Sequence, residues 1–233
     1  VRHGQVEHHQ NDVSITARGR EQAASAGDEL AARIADGDSV FVYHAPVLRV
    51  RETAEIIYDR LKAVRGFNLR PPQPDELLSN VRFTARSNGG EYLEEPSLLY
   101  AQLNNAAVYR ASLPPAWVNF YEGFWSSADP MGYWLTHDSG GGAETPASVL
   151  SRFQTRLREI LRADSGGTAR AHWIMATHSG AMRILVRHAF NADPGEPNFC
   201  EIIVVEPSGH ADQALVSYRG RSALLSLITA SRG

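Results

Sequence analysis

The sequence predicts an α/β fold: a three-layer α/β/α sandwich on a mostly parallel central sheet, with an inserted, largely helical, aromatic-rich cap. Three observations predict it. Two short apolar runs, at residues 40–43 and 173–177, are each followed by a turn and an amphipathic helical stretch, the alternation of a parallel sheet. Residues 66–142 break that alternation and hold three of the four tryptophans. The chain has 233 residues, 43% of them hydrophobic, enough to bury a core without disulfide staples.

The elements follow in order. Residues 1–12 are polar and histidine-rich and read as a loop. Thr16 can cap a helix that Glu21, Gln22, Ala23 and Ala24 continue, with Leu30 and Ile34 on its apolar face, to about Ala35 before Gly37 stops it. Val40, Phe41, Val42 and Tyr43 form a strand buried on both faces, broken by His44, Ala45 and Pro46. A second helix spans about 48–64, with Ala54, Ile57, Leu61 and Val64 on one side. Pro71, Pro72 and Pro74 open the next stretch and Gly140, Gly141 and Gly142 close it. Its aromatics, Trp117, Phe120, Tyr121, Phe124, Trp125 and Trp134 among them, read either as a small core of its own or as the lining of a pocket. A helix capped by Thr145 or Ser148 runs to about Arg162, with Val149, Phe153, Leu157 and Ile160 on its apolar side. The strand at 173–177 turns at 178–180 into a helix over 181–190, and strands at 202–205 and 214–218 flank a turn at 207–209. The chain is read as one domain, 1–233, with 66–142 as a cap inserted in it.

Composition narrows the function. A formal net charge of −3 argues against nucleic-acid binding, which needs a strong positive field. No apolar run approaches the roughly 20 residues of a membrane span. Cys200 is the only cysteine, so neither a disulfide framework nor a multi-cysteine zinc site is available. A reducing, cytoplasmic location is expected on that ground.

The chemistry lies at strand-to-helix junctions. His178 stands between a strand and a helix, Arg49 opens the helix after residues 40–43, and Arg2 and His3 lie on the opening loop. In a parallel sheet these ends share one edge, where ligands bind. A lone histidine there is usually a satisfied polar residue, but two arginines and two histidines together form an anion site. Guanidinium forks match phosphate oxygens, and helix N-termini add positive potential. A neutral imidazole can attack phosphorus, and neighbouring arginines keep it unprotonated.

These residues stand in blocks that resemble the histidine phosphatase superfamily, the phosphoglycerate-mutase-like fold. Its RHG motif is Arg2, His3 and Gly4; its early helix motif matches Ile15, Thr16, Gly19, Gln22 and Ala23. Its second arginine block matches Pro46, Arg49, Thr53 and Ala54. Its glycine-rich turn matches Gly141, Gly142 and Glu144, and its second histidine block matches His178, Ser179, Gly180 and Arg183. The resemblance implies a phosphohistidine on His3, with Arg2, Arg49 and His178 binding the phosphoryl oxygens. It places Gly4, Gln5, His9, Ser179 and Glu144 around the substrate, Glu144 from behind the wall. It implies no metal and no cofactor. Adjacent His8 and His9 rarely share one ion.

Departures matter too. The family's proton-donating carboxylate sits in a Leu-x-Glu context, where this chain has Ser79; Glu76 is chosen instead, with Asp75, Glu91 and Asp138 as rivals. Mutases of the family carry a small hydroxyl residue and an asparagine where this chain has Val6 and His9, and a lysine-rich stretch where it has only Lys62. Residues 66–142 hold four arginines against eight acids, which suits a bisphosphate poorly. The expectation is a metal-independent phosphomonoesterase, acid-phosphatase-like, acting on a small phosphate ester with an apolar or aromatic part. The alternatives are a mutase-like phosphotransferase and a non-catalytic phosphate-binding member. No nucleic acid or membrane partner is expected, and a homodimer is left open. The family's RHG follows a central strand, so the resemblance implies that Val1 is that strand's last residue and that apolar residues precede it.

Overall fold

A computed structural model describes residues 1–228 other than 65, 88, 106, 164–169 and 211. Helix α1 (Ala17–Ala31) starts where Thr16 Oγ1 accepts from the Gly19 N–H at 3.0 Å. It ends four residues earlier than the periodicity predicts. The amides of Arg33 and Ile34 bond three residues back, at 3.0 and 3.3 Å, which tightens the last turn out of α geometry. Its buried face is small, with Ala23, Ala26 and Gly27, so α2 (Leu48–Ala63) packs closely on it.

Strand β1 (Ser39–His44) carries the parallel sheet. It pairs on one edge with β2 (Asn68–Leu69) and β3 (Gln73–Pro74), and on the other along its whole length with β6 (Ala171–Ala176). All three pairings are parallel, so β1 and β6 end at the same edge. The first residues of the 66–142 stretch therefore belong to the sheet, and the part that leaves it follows Pro74. A hairpin of β4 (Phe83–Ser87) and β5 (Gly90–Glu94) comes next, which the expectation of a largely helical insert lacks. Four helices follow: α3 (Pro96–Asn105), α4 (Ala107–Ala111), α5 (Pro115–Ser126) and α6 (Pro130–Thr136).

The aromatics of this region make a core. Phe83 stacks on Tyr121 and meets Phe124 edge to face, each at a centroid distance of 4.9 Å. The Tyr121 hydroxyl donates to the Gly142 carbonyl at 2.8 Å and so ties α5 to the glycine turn. Gly140 and Gly141 take φ of +59° and +88° there, values a β-carbon disfavours.

Helix α7 (Pro146–Ala163) packs on α8 (Ser179–Phe190), and α8 begins two residues before its expected start because His178 is its N-cap. The C-terminal sheet is antiparallel, β7 (Val204–Pro207), β8 (Gln213–Tyr218) and β9 (Arg221–Ser226). The sequence reading lacks β9, whose exposed Ser222, Leu224 and Ser226 blur its alternation. Residues 1–3 run between the two sheets: Arg2 bridges Thr177 in parallel, and its N–H donates to the Glu201 carbonyl at 3.1 Å.

Candidate active site

His3 is set by its backbone. Its N–H donates to the Thr177 carbonyl at 2.9 Å, which places it beside the end of β6, one residue from His178. The loop behind it is clamped by α1. Thr16 N–H donates to the Gln5 carbonyl at 2.8 Å, and Gln22 Oε1 accepts from Gln5 N–H at 3.0 Å. Gly4 N–H donates to Thr53 Oγ1 at 2.9 Å, and that hydroxyl donates to the Arg49 carbonyl at 2.7 Å. One chain of bonds thus joins the first loop to the start of α2. A β-carbon on Gly4 would stand 2.5 Å from the Gly19 carbonyl oxygen, so this crossing requires glycine.

The His3 ring lies 2.8 Å, through Nδ1, from the Gly4 carbonyl. A carbonyl only accepts, so Nδ1 carries the proton and Nε2 keeps its lone pair. The ring meets His178 edge to face at 5.3 Å and His9 at 5.6 Å between centroids. Arg2 lies over Phe199, 4.1 Å from the ring centre, and donates to Pro197 O; its Nη1 pairs with Glu196 at 3.0 Å. Arg49, 2% exposed, pairs through Nη2 with Glu95 at 2.6 Å. Arg49 is the second residue of α2 and His178 caps α8, so two helix N-termini also face this point.

Arg2, His3, His9, Arg49, Glu95 and His178 line a cavity of about 260 Å³. Its other walls include Asn80, Pro96, Ser97, Phe124, Trp125, Pro130 and Met131. Burial pushes His3 and His178 well below the usual histidine range, and Arg49 pushes both further down. His9 is lowered to about 4 for the same reasons, burial first and then Arg49 and Arg2. Arg2 Nε, Arg49 Nε and His178 Nε2 are buried without a partner. Asn80 Oδ1, on the same wall, is a fourth such atom and an acceptor; the two guanidinium groups beside His178 suit a tetrahedral oxyanion.

Of the residues expected at the site, Arg2, His3, His9, Arg49, His178 and Ser179 line the cavity. Gly4 and Gln5 stand behind His3 and do not. Glu144 does not either: it binds Arg82 and Arg152, and Arg152 in turn donates to the carbonyls of Leu77, Ser79 and Asn80 at 3.0, 3.2 and 2.8 Å. Glu144 thereby fixes the segment that carries Asn80. Glu76 lies on a short 3-10 turn, where its carboxylate accepts from Ser79 Oγ at 3.4 Å, away from the cavity wall. Asp75 caps that turn, Glu91 pairs with Arg86, and Asp138 accepts from Gly140 N–H; none of the three lines the cavity.

Sequence reasoning missed Asn80, Glu95, Ser97, Asp129 and Glu196. The signal for Glu95 is its place at the end of a strand and just before Pro96, which opens a helix. Among the described residues, no cluster of three His, Cys, Asp or Glu side chains could hold a metal ion, and no helix is long and apolar enough to cross a membrane.

A sequence profile of the histidine phosphatase superfamily (branch 1) matches residues 1–88 and 120–216. The chain belongs to the histidine phosphatase superfamily. Its fold is that of solved members. A mycobacterial glucosyl-3-phosphoglycerate phosphatase is 18% identical with a TM-score of 0.53, over 99% of this chain and 97% of that one. A chain described as mycobacterial hydrolase 1 is 17% identical with a TM-score of 0.53, over 98% of this chain and 97% of that one. A comparison with curated protein sequences found no match. Within the superfamily's blocks, Thr16, Gly19 and Gln22 are the residues that clamp the His3 loop, and Thr53 is the one that links it to Arg49.

Proposed function

We propose that this histidine phosphatase superfamily member hydrolyses a small phosphate monoester, without a metal, through a phosphohistidine on His3. The observation that carries the reading is the His3 ring. It is buried, held neutral, bonded through Nδ1 to the Gly4 carbonyl, and presents Nε2 to a cavity shared with Arg2, Arg49 and His178. A neutral, oriented imidazole beside two guanidinium groups is the arrangement that in-line attack on a phosphoryl group needs.

In the first step Nε2 of His3 attacks phosphorus, and the ester oxygen departs. Arg2, Arg49 and His178 hold the three peripheral oxygens as charge spreads over them. Water then attacks the phosphohistidine, and inorganic phosphate leaves. The part of 66–142 that follows Pro74 acts as the cap over the leaving group. Phe124, Trp125, Pro130 and Met131 offer it an apolar wall, which supports a phosphate ester with an apolar or aromatic part. Val6 and the lack of lysines besides Lys62 weigh against a bisphosphate-dependent mutase.

A phosphate-release panel of aryl, alkyl and sugar-acid phosphates tests this with wild type and His3→Ala. Release by wild type, lost in His3→Ala, is expected. No release on any ester would leave a phosphate-binding module, and transfer to a second hydroxyl without release would mark a phosphotransferase.

A further inference from the structure

We propose that Glu95, at the junction of β5 and α3, is the group that protonates the leaving oxygen and later draws the proton from the attacking water. The proposal rests on the phosphatase reading above. Three carboxylates line the cavity: Glu95, Asp129 and Glu196. Asp129 binds Arg183, accepts from the Gly132 N–H, and has a side chain 48% exposed. Both bonds hold it ionised, below the usual carboxylate range. Glu196 is 41% exposed and pairs with Arg2. Glu95 alone is buried, its side chain 8% exposed. The segment that carries Asn80 gives the cavity an amide, which has no acidic proton, and Glu76 lies off the wall.

The partner of Glu95 explains how it would gain a proton. It is held by Arg49 Nη2 at 2.6 Å, with Ser97 Oγ at 3.5 Å from the other nitrogen. Burial already raises its affinity for a proton, Arg49 opposes this, and Asp12 and Glu94 add to it. A phosphate dianion that takes Arg49 removes the opposing charge and places a negative one beside Glu95. Both changes favour the protonated acid. Substrate binding thus arms the donor. The proton on the Glu95 carboxyl passes to the ester oxygen as its bond to phosphorus breaks and the bond from His3 Nε2 forms. In the second step the Glu95 carboxylate takes a proton from water as its oxygen bonds to phosphorus. The electron pair of the P–N bond returns to His3.

The test is the dependence of kcat/KM on leaving-group acidity, measured with 4-nitrophenyl phosphate, phenyl phosphate and further aryl phosphates. Wild type, Glu95→Gln, Glu95→Asp and Glu76→Gln are compared. Expected is a loss of at least a hundredfold for Glu95→Gln on phenyl phosphate, less than tenfold on 4-nitrophenyl phosphate, and no change for Glu76→Gln. Should Glu95→Gln be inactive throughout, the slope is read from Glu95→Asp, which is expected to be steeper than wild type. Equal losses on all esters, an unchanged slope in Glu95→Asp, or a leaving-group-dependent loss in Glu76→Gln would overturn the assignment. No release by wild type from any ester would instead sink the phosphatase reading on which it stands.

Discussion

The imidazoles of His3 and His178 meet edge to face, with centroids 5.3 Å apart and planes inclined by 68°. Both are buried and neutral, but only His3 has a nitrogen fixed by a backbone carbonyl. Their variants should therefore differ in kind. His3→Ala removes the proposed nucleophile and should abolish turnover and all covalent labelling. His178→Ala keeps the proposed nucleophile and loses a hydrogen-bond donor to the phosphoryl group, a loss on the order of 10²–10³-fold in kcat. Acid quenching after mixing with labelled ester should trap phosphoenzyme in wild type and, more slowly, in His178→Ala. Labelled His3→Ala would place the nucleophile elsewhere.

The lowered histidines should make the proposed activity tolerant of acid. An unperturbed imidazole near pKa 6.5 would lose about tenfold in kcat/KM for each pH unit below that value. His3 and His178 lie well below it, through burial and then Arg49. Turnover at pH 5 should therefore be no lower than a few-fold under that at pH 7. A profile falling with unit slope from pH 6.5 would mean that the His3 ring titrates as if exposed.

Stability should move the other way. A histidine with a lowered folded pKa takes a proton more readily when unfolded, so the unfolded state binds more protons below about pH 6.5. Stability then falls as pH drops from about 6.5, and for His9 the fall ends near 4. Each such histidine adds a slope of up to about 1.4 kcal/mol per pH unit. Urea midpoints measured from pH 7.5 to pH 4.5 should decline, and His9→Gln should make the decline shallower. An identical slope in the variant would show that His9 does not resist protonation.

The crossing of Gly4 and Gly19 predicts a backbone effect on chemistry. A β-carbon on Gly4 would stand 2.5 Å from Gly19 O, with backbone on both sides and no flexible side chain to yield. Gly4→Ala should cost on the order of 1–3 kcal/mol in stability and displace His3 from its Gly4 partner. Thermal unfolding and kcat measured on the same preparations should both fall. Unchanged kcat would show that His3 is oriented without this crossing.

Much of this site was legible because its residues sit where local rules place them. Arg49 and His178 follow β-branched apolar runs, so their strand-to-helix position could be read directly. Thr16 was legible as a cap, but its second task, bracing the His3 loop with Gly19 and Gln22, depends on a contact that local patterns do not encode. Glu95 was hidden for another reason. It sits in an acidic run, Glu91, Glu94 and Glu95, of which a reader expects solvated charges, and its burial comes from packing against Arg49 across 46 positions of sequence. Glu76 stands three residues from the position of the family's carboxylate, and the 3-10 turn that carries it points its carboxylate at Ser79. The hairpin of β4 and β5 escaped because its alternation is short and mostly exposed.

Glu144 links this hidden part to the wall of the cavity. Its two oxygens accept from Arg82 and Arg152, and Arg152 spans three carbonyls up to Asn80. Burial pushes its carboxyl up, but the two guanidinium groups outweigh this and hold it below the usual range. Glu144→Gln leaves two arginines with a neutral partner, and breaking such a buried pair typically costs about 3–5 kcal/mol. Because a lowered carboxylate stabilises the fold above about pH 4.5 and loses that effect as pH falls through its folded value, the penalty should shrink toward low pH. Urea unfolding of wild type and Glu144→Gln at pH 7 and pH 3.5 checks both points. A penalty equal at the two values would mean that the ionised carboxylate contributes nothing and that Arg152 holds the Asn80 segment unaided.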